Sequence, residues 1–258
     1  MASRRSNKRK QRNRGRFGLL YKVLSLIIIL AAIAAGCVVF FRVGEITVSG
    51  MDRYTAQEII DASGVEEGDN LFLVGGAGTA QKIYSSLPYV DEVNIRHALP
   101  DGLVITVTER TPAAVVQGGE GWWIVDAKGK ILEQVASAGQ TKVAEVSGLT
   151  ALLPAVGTTL AVEDNESFRL ESLMDLLTAL EERGILGEVS DIDLTSAAEV
   201  TMVYDGRLRV KMRMSDDFMW QTRVLTESLA QGIIQPNERG VVDLTLEQPR
   251  FIPETAGT

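Results

Sequence analysis

The amino-acid sequence predicts an α+β protein: a single transmembrane helix, a unit of the order strand–helix–helix–strand–strand, and a second unit with a mixed antiparallel sheet and two helices. Three observations support this fold class. An uncharged apolar run lies near the N-terminus, alternating and helical apolar patterns follow it, and turn residues separate those patterns. With 258 residues, the chain has room for more than one domain.

The apolar run extends from Val23 to Phe41 and contains nineteen residues without a charge. A helix of that length, at about 1.5 Å per residue, spans roughly the 30 Å hydrocarbon core of a bilayer. The run is longer than the core of a cleaved signal peptide, and Val38–Phe41 continues it beyond a lipoprotein-like sequence that ends at Cys37. We therefore expect a retained anchor, with Cys37 as a small apolar residue of the span.

Charge differs between the two sides of this run. Residues 1–22 contain nine Lys or Arg and no acid, whereas residues 43–258 contain 16 basic and 34 acidic residues, a balance of −18. By the positive-inside rule, the tail is expected in the cytoplasm and the bulk of the chain outside the membrane. The basic tail would also suit nucleic acid, but a topology signal with affinity for anionic lipid explains it better.

These patterns divide the chain into five expected segments. They are a basic cytoplasmic tail, a transmembrane helix, a first extracytoplasmic unit, a second extracytoplasmic unit and a short tail, at residues 1–22, 23–41, 43–111, 112–250 and 251–258. The only cysteine lies in the span, so we expect both extracytoplasmic units to be stable without disulfides.

The first extracytoplasmic unit begins with a strand and two helices. Alternation at Ile46 and Val48 predicts the strand, and the capping-box pattern from Thr55 to Glu58 begins the first helix. The glycine run at 75–78 is expected to be a flexible link. A second helix is predicted from Thr79 to Leu87, because a proline follows it directly.

Two strands joined by a tight turn complete this unit. Apolar residues alternate from Val93 to His97 and again from Leu103 to Val107. The turn at Leu99–Gly102 combines proline, aspartate and glycine, which favour a hairpin. We interpret His97, the only histidine, as a residue at the edge of the core, because no His, Cys or acid pair lies near it in the sequence.

This order of elements directly after a membrane anchor resembles a POTRA domain. The stretch from Leu87 to Val115 is similar, more specifically, to the bacterial cell division family FtsQ/DivIB. Three motifs carry the similarity: a Pro-aromatic-Val start at Pro88–Val90, a Pro-x-x-Leu turn at Pro100–Leu103, and an Ile-x-Val-x-Glu-Arg-x-Pro ending at Ile105–Pro112. The short basic tail and the single span also match the layout of that family.

The second unit starts where this motif ends. Trp122–Val125 predicts a strand, in which Trp122 and Trp123 point to opposite faces, so that at most one of them fully enters the core of a one-sided sheet. The other would contact a partner, a carbohydrate or a covering loop. Apolar residues at helical spacing predict two helices, at about Glu166–Arg183 and Asp216–Gln231, and each precedes a strand that ends in Asp-Leu-Thr.

Basic residues alternate along one predicted strand of this unit, after an Asp-Gly turn. They are Arg207, Arg209, Lys211 and Arg213. Two interpretations stay open: a face that binds an acidic partner or wall polymer, and a solvated face paired with acids on neighbouring strands. Nucleic acid is not expected as a partner, because the stripe lies outside the cell in the predicted topology.

The sequence indicates a non-enzymatic protein without a metal, a cofactor or a small-molecule substrate. A single histidine and a single cysteine cannot form a His/Cys metal cluster, and no Gly-x-Ser-x-Gly sequence occurs. Most acid pairs fall in loops or on polar helix faces. Asp191 and Asp193 alternate in a predicted strand and leave an acid-pair hydrolase acting on the cell wall as an alternative.

The resemblance implies a scaffold of the division machinery in the plasma membrane at the septum. It implies partners of the FtsB/DivIC-like and FtsL-like kinds, which are single-span, coiled-coil division proteins. In that family the last strand of the second domain offers its edge to a partner strand, so that backbone groups supply affinity and the edge is covered. The matching residues here are Val241, Val242, Asp243, Leu244, Thr245 and Leu246.

The sequence departs from the family near that strand. Thr245–Leu246 stand where an Arg-Tyr pair is common, and Phe251 matches a later aromatic residue only roughly. Strand pairing therefore carries over better than any side-chain contact. A POTRA-type chaperone or translocation module that binds unfolded polypeptides is a further alternative, although such proteins usually repeat the unit or end in a β-barrel.

Overall fold

The computed structural model describes residues 15–214 and 217–254. In this part, the chain forms a long N-terminal helix, a three-stranded sheet with two helices, and a nine-stranded sheet with two further helices. The predicted α+β class is confirmed. Most of the basic tail, residues 1–14, lies outside the described residues, and so do residues 255–258 of the expected short tail.

The N-terminal helix, α1, runs over Gly15–Phe40. Within the described residues, Gly18–Phe40 is the one helical stretch long and apolar enough to cross a membrane. Its large apolar side chains are exposed in the isolated chain, as expected of a surface that faces lipid. The helix therefore fits a single-pass anchor, and it ends one residue before the predicted limit at Phe41.

The first folded unit has the predicted order of elements. They are β1 (Glu45–Ser49), α2 (Ala56–Ser63), α3 (Gly76–Ser86), β2 (Val90–Ala98) and β3 (Gly102–Glu109). The sheet order is β1-β3-β2, with β3 parallel to β1 and antiparallel to β2. The fully buried side chains of Ile59, Ile83 and Ile105 join both helices to the sheet in one core.

The two helices of this unit begin in different ways. Glu58 N donates to Thr55 Oγ1 over 3.3 Å and Thr55 N donates to Glu58 Oε2 over 2.8 Å, which confirms the predicted capping box of α2. In α3, the glycine run forms the first turn from Gly76 onward and is not the flexible link expected. Gly75 is the N-cap residue of this helix, a position at which glycine is well tolerated, so the helix can begin inside the glycine run.

The second folded unit contains nine strands and two helices. The strands are β4 (Pro112–Gly118), β5 (Gly121–Asp126), β6 (Ile131–Val135), β7 (Ala144–Thr150), β8 (Val189–Asp193), β9 (Glu199–Tyr204), β10 (Leu208–Arg213), β11 (Gly240–Asp243) and β12 (Arg250–Pro253). The helices are α4 (Ser167–Glu182) and α5 (Phe218–Ala230). The strand order is β12-β11-β10-β9-β8-β7-β4-β5-β6, and the sheet mixes parallel with antiparallel pairs.

One continuous core lies between this sheet and its helices. Leu173 and Leu177 of α4 and Leu225 of α5 are fully buried in it. Trp123 is also buried, and its Nε1 donates to Gly118 O over 2.9 Å, whereas Trp122 is only half-buried. One tryptophan of the pair thus enters the core, as strand geometry requires.

The two folded units share a small apolar cluster at their junction. Tyr89 of the first unit packs there with Val115 and Ile124 of the second, and Tyr54 covers them. The Tyr89 hydroxyl donates to Glu133 Oε2 over 2.9 Å. Burial, followed by this carboxylate, raises the pKa of Tyr89 above its ordinary value, so the hydroxyl keeps its proton and remains a donor to the second unit.

Candidate functional site

The predicted partner-binding stretch, Val241–Leu246, lies near one end of the large sheet but not on its edge. Val241–Asp243 belong to β11, which pairs in parallel with β10 on one side and antiparallel with β12 on the other. Leu244–Leu246 follow the end of β11. The expectation of a free edge at these residues is therefore corrected: the outermost strand is β12, and the sheet extends to Pro253, past the expected domain limit at residue 250.

Backbone hydrogen bonds show why β11 has no free side. Leu244 N donates to Lys211 O over 2.9 Å, which directs the even-numbered residues of this segment toward β10. Glu254 N donates to Arg239 O over 2.8 Å, which directs the odd-numbered residues toward β12. Because successive residues of a strand bond to opposite sides, both sides of β11 are engaged.

The close approach of β12 depends on a turn and on a glycine. Asp243 Oδ1 accepts hydrogen bonds from Thr245 N over 3.0 Å and from Thr245 Oγ1 over 2.6 Å, which ends β11 in a tight turn. A Cβ atom at Gly240 would lie 2.2 Å from Ile252 O, so only glycine fits where β12 crosses. On the core side, Phe251 packs beside the buried Val242, its register partner.

The outer side of β12 exposes few backbone donors. Because the odd-numbered residues of β11 bond to β12, the partners of its even-numbered residues, Phe251 and Pro253, direct their own backbone groups outward. Pro249 precedes the strand and, two residues before Phe251, also directs its backbone groups outward. Proline has no N–H, so within 249–253 the outward groups are three carbonyls and a single donor, Phe251 N–H. In the described part of the chain, β12 pairs with β11 alone.

The face of the sheet opposite the helices is partly apolar near this edge. Ile252 is 50% exposed and stands in register with Val241, which is in register with Arg209 on β10. An exposed apolar side chain on the outermost strand therefore lies in one row with a half-buried valine and an exposed cation.

The four basic residues of the predicted stripe do not act as one free surface. Arg207 is fixed at the turn before β11, since its side chain is only 13% exposed and bonds to Asp205 Oδ2 over 2.7 Å and to Glu238 O over 2.9 Å. Lys211 Nζ lies 3.7 Å from Glu199 Oε1. Arg209 and Arg213 are exposed. The expected stripe is thus reduced, and contact of its exposed members with a partner stays a prediction.

The acid pair weighed for hydrolysis lies on β8. Burial, followed by the charges of Asp193 and Glu145, raises the pKa of the Asp191 carboxyl. Asp193 Oδ1 accepts from Thr195 N over 2.9 Å and from Thr195 Oγ1 over 2.6 Å. Asp243 makes the same turn with Thr245, so the repeated Asp-Leu-Thr sequence has a structural use at both strand ends.

Comparison with known proteins agrees with this architecture. Residues 41–110, which contain the first folded unit, match the POTRA domain of the FtsQ type. The predicted resemblance to the FtsQ/DivIB family is confirmed. The match begins at the last residue of the predicted span and ends at Arg110, where the chain enters the large sheet.

Matches to whole proteins are longer than the first unit and therefore extend into the second. The cell division protein FtsQ of Corynebacterium glutamicum is 29% identical over 177 residues, 66% of this chain and 78% of its own length. FtsQ of Streptomyces coelicolor is 32% identical over 125 residues, 46% of this chain and 47% of its own length. The cell division protein DivIB of Clostridium acetobutylicum is 23% identical over 208 residues, 81% of each chain. Each of these relatives is named as a cell division protein.

One strand of the candidate site, β12, is not predicted from the sequence. The expected domain limit at residue 250 places Phe251–Pro253 of this strand in the short tail. Pro249 precedes the strand and Pro253 ends it, and proline argues against a central strand. The same prolines are typical of an outermost strand, whose outer backbone groups need no ladder. The apolar pair Phe251–Ile252 between them was the available signal.

Proposed function

We propose that this protein is a non-enzymatic scaffold of the bacterial division machinery. The tail is cytoplasmic, α1 spans the plasma membrane once, and the POTRA domain (43–111) and the second domain, which we now extend to Pro253, lie outside at the septum. The charge asymmetry along the chain supports this topology, and the division proteins similar to both domains support the role.

The proposed partners are division proteins of the FtsB/DivIC-like and FtsL-like kinds. The observation that carries this proposal is the outermost strand β12, whose outer side pairs with no other strand of the described chain. A partner segment adds to it as a further strand, which gives affinity through backbone groups and covers the edge. The residues Val241–Leu246 support this contact indirectly, because β11 pairs with β12 and holds it in place.

The backbone of β12 defines how a partner strand binds. An antiparallel partner makes one complete pair of hydrogen bonds, with Phe251 N–H and Phe251 O. Opposite Pro249 and Pro253, its N–H groups can donate to the proline carbonyls, but its own carbonyls find no N–H donor there. The contact is therefore short, so side chains on the open face, Ile252 first, supply much of the affinity. Arg209 lies in the same row but on β10, two strands inside β12, so it is not expected to contact the added strand directly.

Photo-crosslinking in dividing cells tests this proposal directly. A photoreactive amino acid at Ile252 of the full chain is expected to form adducts with small single-span division proteins, identified by mass spectrometry. The control position is Leu153, which is 89% exposed in the loop between β7 and α4 of the same domain. Equal adducts at both positions, or adducts with many unrelated polypeptides, would contradict strand addition and favour the chaperone alternative.

A substitution in the same strand measures how much Ile252 contributes to partner binding. Ile252→Asp is expected to weaken co-purification of those partners without lowering the unfolding temperature, because half of this side chain is already exposed. Leu153→Asp is the matched control. Proline at Leu244 is unsuitable as a probe, because Leu244 N donates to Lys211 O inside the sheet and its loss would disturb folding.

A further inference from the structure

The POTRA domain is joined to the end of the membrane span by more than the chain itself. Asn70, in the loop between α2 and α3, donates from Nδ2 to Val38 O over 2.7 Å and to Phe41 O over 3.2 Å. Leu71 N also donates to Phe41 O, over 3.0 Å. The last carbonyls of a helix have no intrahelical partner, and here the POTRA domain supplies a donor to that of Val38 and two donors to that of Phe41, the next residue after the helix.

These contacts place the loop at the membrane boundary. Val38 lies inside the apolar stretch Gly18–Phe40, so a side chain bonded to its carbonyl is located in the last turn of the span. Phe72 follows two residues after Asn70, and its ring centroid lies 5.1 Å from that of Phe41 in an edge-to-face contact. The loop therefore stands beside the helix at the depth where hydrocarbon gives way to headgroups.

Apolar side chains at this position point away from the protein. Phe72 is 52% exposed and Leu73 is 74% exposed. On the neighbouring β2–β3 turn, Leu99 is 61% exposed, and the same turn accepts a hydrogen bond from Gly44 N, 2.8 Å from Asp101 O. We call Phe72, Leu73 and Leu99 the membrane-proximal tip.

The backbone N–H groups of the loop from Leu71 to Val74 have hydrogen-bond partners within the protein, as an environment with little water requires. Asn70 Oδ1 accepts from Phe72 N over 3.1 Å and from Leu73 N over 3.2 Å, and Asn70 O accepts from Val74 N over 3.1 Å. Donors without partners would be costly to move into the bilayer interface. Asn70 thus bonds the membrane helix with its amide nitrogen and the loop donors with its amide oxygen.

We propose that the membrane-proximal tip inserts into the interface of the outer leaflet and fixes the orientation of the POTRA domain on the bilayer. The occupant of this surface is lipid, because the tip is bonded to the very turn at which the chain leaves the membrane. The aromatic ring of Phe72 suits the headgroup level, and Leu73 and Leu99 suit the acyl boundary. This inference is independent of the partner proposed at β12.

Spin-label accessibility tests it with the full chain in vesicles of phosphatidylcholine and phosphatidylglycerol. Cys37, the only cysteine, is replaced by Ala, and a label is introduced by Leu73→Cys, or by Ile233→Cys as a control that is 62% exposed in the second domain. At residue 73 we expect a ratio of oxygen to nickel-complex collisions several-fold higher than at residue 233. Equal ratios would overturn the proposal.

A second variant separates lipid contact from simple burial in the protein. With the label introduced by Leu99→Cys, the double change Phe72→Glu and Leu73→Glu is expected to lower the ratio of oxygen to nickel-complex collisions at residue 99. The reason is that a charged loop leaves the bilayer interface. Ile233→Glu should leave it unchanged. No other protein is present in these vesicles. If the tip binds the helices of a partner and not lipid, the labels at residues 73 and 99 will show the low ratio of oxygen to nickel-complex collisions that is typical of water-exposed sites. That result would contradict the proposal.

Discussion

Arg110, the last residue of the POTRA match, donates from Nη1 to Asp126 Oδ2 of the second domain over 2.5 Å. Its Nη2 lies 2.7 Å from Asp91 Oδ1, and its Nε donates to Val90 O over 3.2 Å. The Arg110 side chain is 13% exposed and that of Asp126 is 6% exposed. One guanidinium, between β3 and β4, thus contacts the start of β2 and the end of β5. The Glu-Arg-x-Pro motif therefore has a structural explanation at the boundary between the two domains.

Removal of this guanidinium is expected to destabilise the chain strongly. Arg110→Ala leaves the Asp126 carboxylate buried without its cation, and breaking a buried ion pair costs roughly 3 kcal/mol or more. The loss of stability in Arg110→Lys should be smaller than in Arg110→Ala but still measurable. Lysine keeps the charge, but one ammonium cannot match the guanidinium fork that contacts both acids. The free energy of unfolding of the full chain in detergent, from denaturant curves, measures the change.

The matched control for Arg110 is Arg53, which pairs with Glu133 across the same junction over 2.9 Å while both side chains remain about half exposed, at 51% and 43%. Arg53→Ala is expected to cost less than about 1 kcal/mol. If Arg110→Ala and Arg53→Ala lower the free energy of unfolding equally, the burial of the Arg110 ion pair does not make it more important for stability than the exposed pair.

Gly240 should be indispensable for the attachment of β12. Alanine there would place a Cβ atom 2.2 Å from Ile252 O, so Gly240→Ala is expected to destabilise the domain by about 2–3 kcal/mol and to separate β12 from β11. Hydrogen exchange at the Ile252 and Glu254 amides, which face β11, should then accelerate. Gly187→Ala is the control, because no atom lies within 4 Å of its added Cβ. Unchanged exchange in Gly240→Ala would contradict the role of the glycine.

Features set by local chemistry were predictable from the sequence. The capping box of α2 needs only Thr55 and Glu58, three residues apart, and the glycine at 64 ends the helix with a φ of 63°. The length of the apolar run near the N-terminus similarly predicted α1. Each of these depends on neighbours in the chain, so spacing and composition suffice.

Features set by distant contacts were not predictable. β12 is a strand because β11 is next to it, and the prolines before it and at its end, Pro249 and Pro253, weaken the strand signal in the sequence. Arg207 is not part of a free basic surface, because its guanidinium donates to Gln235 O and Glu238 O, which lie 28 and 31 residues further along the chain. Asn70 gave no signal at all, since its bonds to Val38 and Phe41 cross from the POTRA domain to the span.

Asp191 should make the domain less stable as pH rises through the acidic range. Its pKa is raised above the ordinary 3.8, so between 3.8 and the raised value the folded state binds more protons than the unfolded state. Stability due to this group is therefore greatest at low pH and falls as pH increases through that window. Asp191→Asn is expected to stabilise the chain at neutral pH by roughly 0.2–1 kcal/mol, the range for like charges on neighbouring strands after solvent screening.

Unfolding curves at several pH values test this expectation. The advantage of Asp191→Asn over the parent should disappear below the ordinary pKa, where the aspartate is protonated in both states. Glu171→Gln, on the exposed face of α4, controls for the loss of one negative charge. A variant less stable than the parent at neutral pH, or a difference that persists in acid, would contradict the raised pKa.

The prolines on the outer side of β12 are expected to limit pairing at this edge. Pro249 and Pro253 each withhold an outward N–H, so two copies of this protein meeting edge to edge lack most of the donors for a ladder. Pro249→Ala with Pro253→Ala supplies two donors, each worth about 0.5–1.5 kcal/mol when bonded. We expect stronger self-association in sedimentation of the detergent-solubilised chain and stronger co-purification of the proposed division partners. Pro236→Ala, in the exposed turn before β11, controls for the loss of a proline, and a double variant that behaves like it in both assays would show that β12 is not an edge at which strands add.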